Sequence, residues 1–409
     1  MRLIPSVYRM FEGRVAAPFW RQLTHLYEGL EELRAWFRAR RPSAKSAGLK
    51  DRFCARPFES FELQENGSVY LCCPTWLRWR AGNLYDTSAA EIWNSPIAED
   101  IRRGILDGTF KHCNHDLCPE IQSGTLPTRA KAAKNPRYRE IIAENKTRLD
   151  GIPPFVNLSN DKSCNLACPS CRTQRIQFND GPGYDARKKL QDRLVESFYS
   201  QPTEQPFVVN VTGSGDPFAS RIFRDFLFEL DKVKFPHMQV NLQTNGVLFT
   251  EKTWANLKKI HGAVGSVLVS FDAATEPTYA ITRRGGDWNQ LLANTEFLAR
   301  VRREGGIGEL ILYFVVQKAN FREMPDFVRI GKRFNADRVY FQRAVNWGTW
   351  SVAEHEDQSV WNPHHPLYPE FARIVAEPIL DDPIVFMGNV ADARRAALAR
   401  LADTRHGVN

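Results

Sequence analysis

Three cysteines, Cys164, Cys168 and Cys171, close the stretch Phe155 to Cys171 at the spacing C-x3-C-x2-C. Cysteine thiolate is the usual ligand of iron–sulfur clusters, and three thiolates so spaced can hold three irons of a four-iron, four-sulfur cluster. The fourth iron then lacks a protein ligand. An open position on a metal centre is where chemistry occurs, whereas a structural site is closed. A zinc knuckle, or core thiols with no metal, are the competing uses of such a run. Phe155-Val156-Asn157-Leu158-Ser159 alternates apolar and polar residues just before it, as a half-buried strand does. The cysteines therefore belong on a loop leaving the end of a strand.

The other five of the eight cysteines, Cys54, Cys72, Cys73, Cys113 and Cys118, lie upstream. Asn66-Gly67 between Phe61 and Leu71 signals a hairpin. A two-residue turn would set Glu65 against Ser68, Leu63 against Tyr70 and Phe61 against Cys72. One face would then carry Phe61, Leu63, Tyr70 and Cys72. The other would carry Glu62, Gln64, Val69, Leu71 and Cys73. Four thiolates on one centre suit structural zinc as well as iron and sulfur, and His112 and His115 flank Cys113.

The elements that position these residues follow from the rest of the chain. From Pro154 onward strand and helix patterns alternate, which argues a parallel sheet covered by helices. Strands are expected at Phe155–Ser159, Pro206–Thr212, Met238–Gln243, Val264–Phe271, Glu309–Val316 and Arg338–Phe341. Helices are expected near Tyr184–Tyr199, around Ile222–Leu230, and over Glu251–Ile260, Trp288–Val301 and Met324–Phe334. In parallel sheets covered by helices, ligands and reactive residues sit at the C-terminal ends of the strands. Those ends carry Thr212-Gly213-Ser214-Gly215-Asp216-Pro217, then Gln243-Thr244-Asn245-Gly246, then Ser270-Phe271-Asp272 with Arg283-Arg284 downstream, then Gln317-Lys318-Ala319-Asn320, and finally Gln342-Arg343. Glycines allow close backbone approach to a ligand, and a carboxylate can accept from an ammonium group.

Upstream of residue 50, Phe19-Trp20, Leu23, Leu26-Tyr27, Leu30, Leu33 and Phe37 recur at helical spacing. This is either a helix packed on the body or one lying on a membrane surface. Residues 122–151 are basic and polar, and read as a connector with one helix near Asn135–Asn145. Trp347, Trp350, Trp361, His355, His364 and His365 in the tail are candidates for a pocket lining or for packing.

Composition sets the class. The 409 residues include 43% hydrophobic and 25% charged side chains, which is globular rather than disordered. No apolar run is long enough to span a bilayer, and Met1 to Val15 has no apolar core of a signal peptide. A cytoplasmic setting is expected, where cysteines serve metals rather than disulfides. A net charge of +8 fits an anionic small substrate or a nucleic acid. The absence of a stacking platform or basic stripe argues against nucleic acid.

These residues resemble the radical S-adenosylmethionine (SAM) enzymes, whose signature is a C-x3-C-x2-C loop after the first strand of a partial barrel. The upstream cysteines resemble a SPASM or twitch module, through Cys54-Ala-Arg-Pro57, Asn66-Gly67-Ser-Val69-Tyr-Leu-Cys72-Cys73, Gly82-Asn83-Leu84, Ala90-Glu91-Ile92-Trp93-Asn94-Ser95 and Cys113-x4-Cys118. Three departures stand out. The module precedes the barrel, Ser170 occupies a position that is often aromatic and leans on the adenine, and Asp216 replaces the usual Glu.

The resemblance implies an α/β fold, a partial (β/α)6 TIM-like barrel with a small cysteine-rich α+β auxiliary-cluster domain before it. The expected divisions are 1–49 helical, 50–123 auxiliary, 124–153 linker, 154–343 barrel and 344–409 extension. It implies a [4Fe–4S] cluster with an open iron on Cys164, Cys168 and Cys171, together with SAM. It also implies one auxiliary [4Fe–4S] cluster on Cys54, Cys113, Cys118 and one of Cys72 or Cys73, with Cys72 favoured. SAM contacts carry over to Gly213, Ser214, Gly215, Asp216, Asn245, Ser270, Gln342 and Arg283 or Arg284. The expected reaction is hydrogen abstraction by a 5′-deoxyadenosyl radical, ending in oxidation of a small molecule or sugar. Peptide cross-linking or epimerisation is the alternative within the family, and a non-catalytic iron–sulfur or zinc protein is the alternative outside it. An external one-electron reductant such as flavodoxin or ferredoxin is the implied partner.

Overall fold

The structure, a computed structural model, describes residues 48–406 other than Gly213, and side chains as far as Arg400. The amphipathic run Phe19–Phe37 lies outside the described residues. The chain divides into two compact units. The first runs to Asp161 and adds Asp180–Ser214 and Val233–Met238. The second comprises Lys162–Asn179, Gly215–Lys232 and the chain from Gln239 onward.

The first unit opens with the short strands β1 (Ser60–Gln64), β2 (Ser68–Tyr70) and β3 (Gly82–Asn83). The helices α1 (Ala89–Trp93), α2 (Pro96–Leu106), α3 (Pro119–Ser123), α4 (Arg129–Ala132) and α5 (Pro136–Ala143) follow, and then β4 (Phe155–Ser159), α6 (Gly181–Phe198) and β5 (Phe207–Val211). The strand order is β3-β2-β1-β4-β5, with β1, β4 and β5 parallel and β2 and β3 antiparallel to their neighbours. Local chemistry sets the helix starts. Ser88 and Glu91 form a reciprocal capping box at α1, and Ser95 caps α2 with Pro96 at its first position, which satisfies amide groups that a helix start leaves unpaired. Arg102 is fully buried. Its guanidinium donates to the carbonyls of Pro57, Trp93 and Thr147 at 2.8–2.9 Å and lies 4.2 Å over the Trp93 ring.

The hairpin departs from its expected register. Glu62 stands opposite Tyr70 and Leu63 opposite Val69, one residue away from a two-residue turn. The Gly67 amide donates to the Gln64 carbonyl at 3.0 Å, and Gly67 has φ 81°. The loop is therefore three residues long, a turn followed by a left-handed glycine. A slip of one residue exchanges the faces. Phe61, Leu63, Val69 and Leu71, all fully buried, share one side, and Glu62, Gln64, Tyr70 and Cys72 share the other.

The second unit contains α7 (Arg221–Glu229), β6 (Met238–Thr244), α8 (Glu251–Asn256), β7 (Val264–Ser270), α9 (Glu276–Thr282), α10 (Trp288–Arg303), β8 (Ile307–Val316), α11 (Met324–Arg333) and β9 (Arg338–Arg343). The tail adds α12 (Val352–Gln358), α13 (Tyr368–Val375), β10 (Val385–Phe386) and α14 (Ala391–His406). The strand order is β10-β9-β8-β7-β6, every pair parallel. In β8, Leu310, Leu312, Phe314 and Val316 are fully buried while the residues between them are less so. The fold is α/β, with strands β4 to β9 as expected for the partial-barrel class. The seven-residue α9 and the tail's strand β10 were not expected, because both are too short to show a period.

Candidate active site

The cluster loop lies in the second unit, after β4 has ended. The Cys164 amide donates to the Ile176 carbonyl at 2.8 Å, and the amides of Cys171 and Arg172 both donate to the Cys168 carbonyl at 2.9 Å. Cys164 and Cys168 are buried around Leu166, whereas Cys171 is exposed. Each thiol has its own nitrogen donor. Asn245 Nδ2 stands 3.7 Å from Cys164 Sγ, Arg283 Nη1 stands 3.8 Å from Cys168 Sγ, and Arg172 Nη2 stands 3.3 Å from Cys171 Sγ. Burial pushes the Cys164 thiol up to about 12, with Asp216 adding to the shift. Burial also raises Cys168, against the pull of Arg283.

Asp216 is fully buried. Its Oδ1 accepts from the amides of Phe218 (3.0 Å) and Ala219 (3.2 Å), and its Oδ2 accepts from Thr244 Oγ1 and the Asn245 amide, both at 2.8 Å. A carboxylate offers about four lone-pair positions, and these four donors fill them. Burial still raises its pKa. Asp216 thus fixes Asn245, whose Nδ2 also donates to Asn165 Oδ1 at 2.8 Å. Gly215 has φ 77°, and Gly213 lies outside the described residues. Ser214, in the first unit, donates through Oγ to the Ser159 carbonyl at 3.2 Å.

At the end of β7, Ser270 is buried and Asp272 takes a left-handed backbone, φ 56°. Asp272 accepts from the Val315 amide at 2.7 Å and pairs with Arg283 at 2.8 Å. Burial opposes the charge on Arg283, but Asp272 and Cys168 outweigh it and the guanidinium stays protonated. Arg283 is therefore committed to Asp272 and Cys168 Sγ, while Arg284 is exposed. On β9, Gln342 accepts from the Tyr313 hydroxyl.

The auxiliary cysteines lie in the first unit. Cys54, Cys72 and Cys118 all act electrostatically on Cys113, and Cys72 feels Cys54. Burial raises Cys113, and lifts Cys54 to about 11 and Cys72 to about 12. Cys73 is raised by burial too, but its neighbours are Thr75, Glu62 and Arg56 rather than cysteines. His112 meets Asp100 at 2.8 Å and His115 meets the Phe110 carbonyl at 3.1 Å, both through Nε2.

Among the described residues, no group of three or more His, Cys, Asp or Glu side chains is gathered as the ligands of one metal ion. The thiolates of a four-iron cluster each bind a different iron and stand further apart than that. The donor set at Cys164, Cys168 and Cys171 is sulfur alone, each sulfur facing an N–H group, and this chemistry fits such a cluster.

Several contributors were not legible. Arg172 is one, and its burial could not be read from its place beside Cys171. Asn294 holds the carbonyls of Gly246 and Val247 at 2.8 and 2.9 Å. Asn320 Nδ2 donates to the carbonyls of Asp272 and Val315, each at 2.9 Å. Of the tail's aromatic and histidine candidates Trp350 lines a cavity, whereas Trp347 is 72% exposed.

Residues 162–329 match the family model of the Radical SAM superfamily, and residues 54–120 match that of SPASM, an iron–sulfur cluster-binding domain. The chain carries a radical SAM domain preceded by a SPASM domain. The first takes a [4Fe–4S] cluster and SAM, and the second takes auxiliary iron–sulfur. A search among curated proteins gave no match. Among solved structures, Streptococcus suis SuiB bound to the precursor peptide SuiA is similar at 14% identity and TM-score 0.35, over 51% of this chain and 44% of that one. TYW1 with a lysine-pyruvate adduct is similar at 13% identity and TM-score 0.35, over 60% and 80%. Native anSMEcpe with bound AdoMet is similar at 16% identity and TM-score 0.33, over 47% and 52%. The chain spans less than half the length of the SuiB structures it matches.

Proposed function

We propose that this protein is a radical SAM enzyme that oxidises a small molecule or sugar, with one auxiliary [4Fe–4S] cluster. The observation that carries the reading is the trio of thiols in the C-x3-C-x2-C loop, each facing a nitrogen donor from Asn245, Arg283 or Arg172. When bound, the cluster supplies one electron to the sulfonium of SAM, giving a 5′-deoxyadenosyl radical that takes a hydrogen atom from the substrate.

The chain's own residues then have separable roles. Cys164, Cys168 and Cys171 hold three irons and leave one open. Asp216 fixes Asn245 against the loop, so it is a positioning residue for the nucleotide site rather than a free acceptor for the SAM amino group. That group falls to the backbone at Gly215, whose φ is 77°. Ser270 and Gln342 would contact the ribose and adenine. Arg283 holds Cys168 and Asp272 in place. Cys54, Cys72, Cys113 and Cys118 would hold the auxiliary cluster, which would supply a one-electron acceptor for an oxidation. Support for Cys72 over Cys73 is its electrostatic coupling to Cys54 and Cys113. An external reductant of the flavodoxin or ferredoxin kind would be the source of the electron that the first cluster supplies.

Anaerobically reconstituted protein should carry about eight irons, two four-iron clusters, and form 5′-deoxyadenosine from SAM under dithionite. Cys164→Ala should abolish that product. Cys72→Ala should lose about four irons, whereas Cys73→Ala should keep them. No 5′-deoxyadenosine from the unaltered protein, or undiminished formation by Cys164→Ala, would overturn the reading.

A further inference from the structure

Building on that reading, we propose that a cavity between the cluster loop and the C-terminal segment binds the substrate by an anionic group, a carboxylate or a phosphate. Arg284 and Gln317 hold that group, and the body of the substrate lies against Trp350. The cavity has a volume of about 610 Å³, within the roughly 300–1,000 Å³ of small-molecule sites. It reaches the cluster loop through Pro169, which lies between Cys168 and Cys171.

Three cations line it, and they are not equivalent. Lys318 is paired with Asp357 at 2.6 Å, and Arg322 makes two bonds of 2.6 and 2.5 Å to Glu370. Among the described residues Arg284 has no acidic partner. Its backbone carbonyl accepts from the Ala167 amide at 3.0 Å, which ties its position to the cluster loop while the guanidinium stays available. A guanidinium offers the two-pronged donor geometry that carboxylate and phosphate accept best.

The second observation is independent of charge. Gln317 is 4% exposed and lines the cavity, yet its Nε2 has no hydrogen-bond partner. A buried donor left without a partner is costly, and an acceptor on a ligand removes that cost. Its backbone is held in place, since the Gln317 amide donates to Asn320 Oδ1 at 2.8 Å. The apolar side comes from Ile281 and from Trp350. Asn346 clasps the Trp350 backbone through both its amide and its carbonyl, at 3.3 and 2.8 Å. Trp350 lies beyond residue 329, where the radical SAM match ends, so this wall is outside the matched domain.

The test is equilibrium dialysis of the cluster-loaded protein with saturating SAM against three probes: benzoate, phenyl phosphate and the neutral benzyl alcohol. At least one anion should be held and benzyl alcohol should not; which anion binds distinguishes carboxylate from phosphate. Arg284→Gln should weaken the anion by about tenfold, the scale of one charge-assisted hydrogen bond, while Lys189→Gln, an exposed residue that does not line the cavity, should hold it as before. Arg284 is exposed, so its variant should keep the parent's melting temperature. Binding of neither anion, equal binding of benzyl alcohol, or an undiminished Arg284→Gln would overturn the proposal. So would weakened SAM binding in Arg284→Gln, since the cavity would then belong to the nucleotide's own carboxylate. Failure of the wider reading looks different, because it removes 5′-deoxyadenosine formation from the unaltered protein.

Discussion

Arg172 directly follows the third cysteine, and its side chain folds back, donating from Nη1 to the Lys162 carbonyl at 2.6 Å and from Nη2 to Cys171 Sγ at 3.3 Å. Burial opposes its charge, but Cys171 and Cys164 outweigh burial and raise its pKa. Reduction adds negative charge to a cluster, so a cation and an N–H donor at a ligand sulfur favour the reduced form. Arg172→Gln is therefore expected to shift the potential of the loop's cluster to more negative values, as read by a redox titration followed by electron paramagnetic resonance. An unchanged potential would mean that the Arg172–Cys171 contact has no electrostatic weight in the loaded protein. Asp216 carries a different lesson. A carboxylate at this place in the sequence invites a ligand role, and in the structure four protein donors, the Asn245 amide among them, already surround it.

At the scale of elements, the turn after β6 shows what one glycine does. Gly246 has φ 80°, and a Cβ there would stand 2.6 Å from Leu291 Cδ1 and 2.8 Å from Val269 Cγ1. Overpacking of that kind costs about 1–3 kcal/mol, and a left-handed backbone adds to it for any residue with a side chain. Gly246→Ala should lower the melting temperature of the metal-free protein, and in the loaded protein should disturb the Asn245–Cys164 contact next to it. A melting curve that matches the parent would show that α10 yields at Leu291. The hairpin at Gly67 is the counterpart. There the glycine permits a three-residue loop, and that single extra residue decides that Cys72 shares a face with Glu62 rather than with Phe61.

For the molecule as a whole, the two sets of cysteines rest on unequal supports. The loop of Cys164 to Cys171 is pinned to the second unit by Asp216, Asn245 and Arg283. The auxiliary set is drawn from distant points of the first unit, joined by strands of only two to five residues. Metal binding to such a region doubles as folding free energy. Removal of iron by a chelator should therefore speed amide hydrogen exchange most between residues 70 and 118, and least in β7 and β8. Equal protection with and without iron would show that Arg102 and the capped helices hold this region unaided.

The sequence by itself determined the cysteine spacings, the alternation of strands and helices from Pro154, and β4 to the residue. From Pro154 to Arg343 it placed every long amphipathic element, because burial on one face writes a period into the chain, but the 18-residue α6 starts three residues and the 10-residue β8 two residues before the expected positions. The hairpin register, the four protein donors around Asp216, the burial of Arg172 and the sharing of one cavity by Trp350 and Pro169 came only with the tertiary structure. Each of these depends on which distant residues become neighbours, and no local pattern of residue types records that.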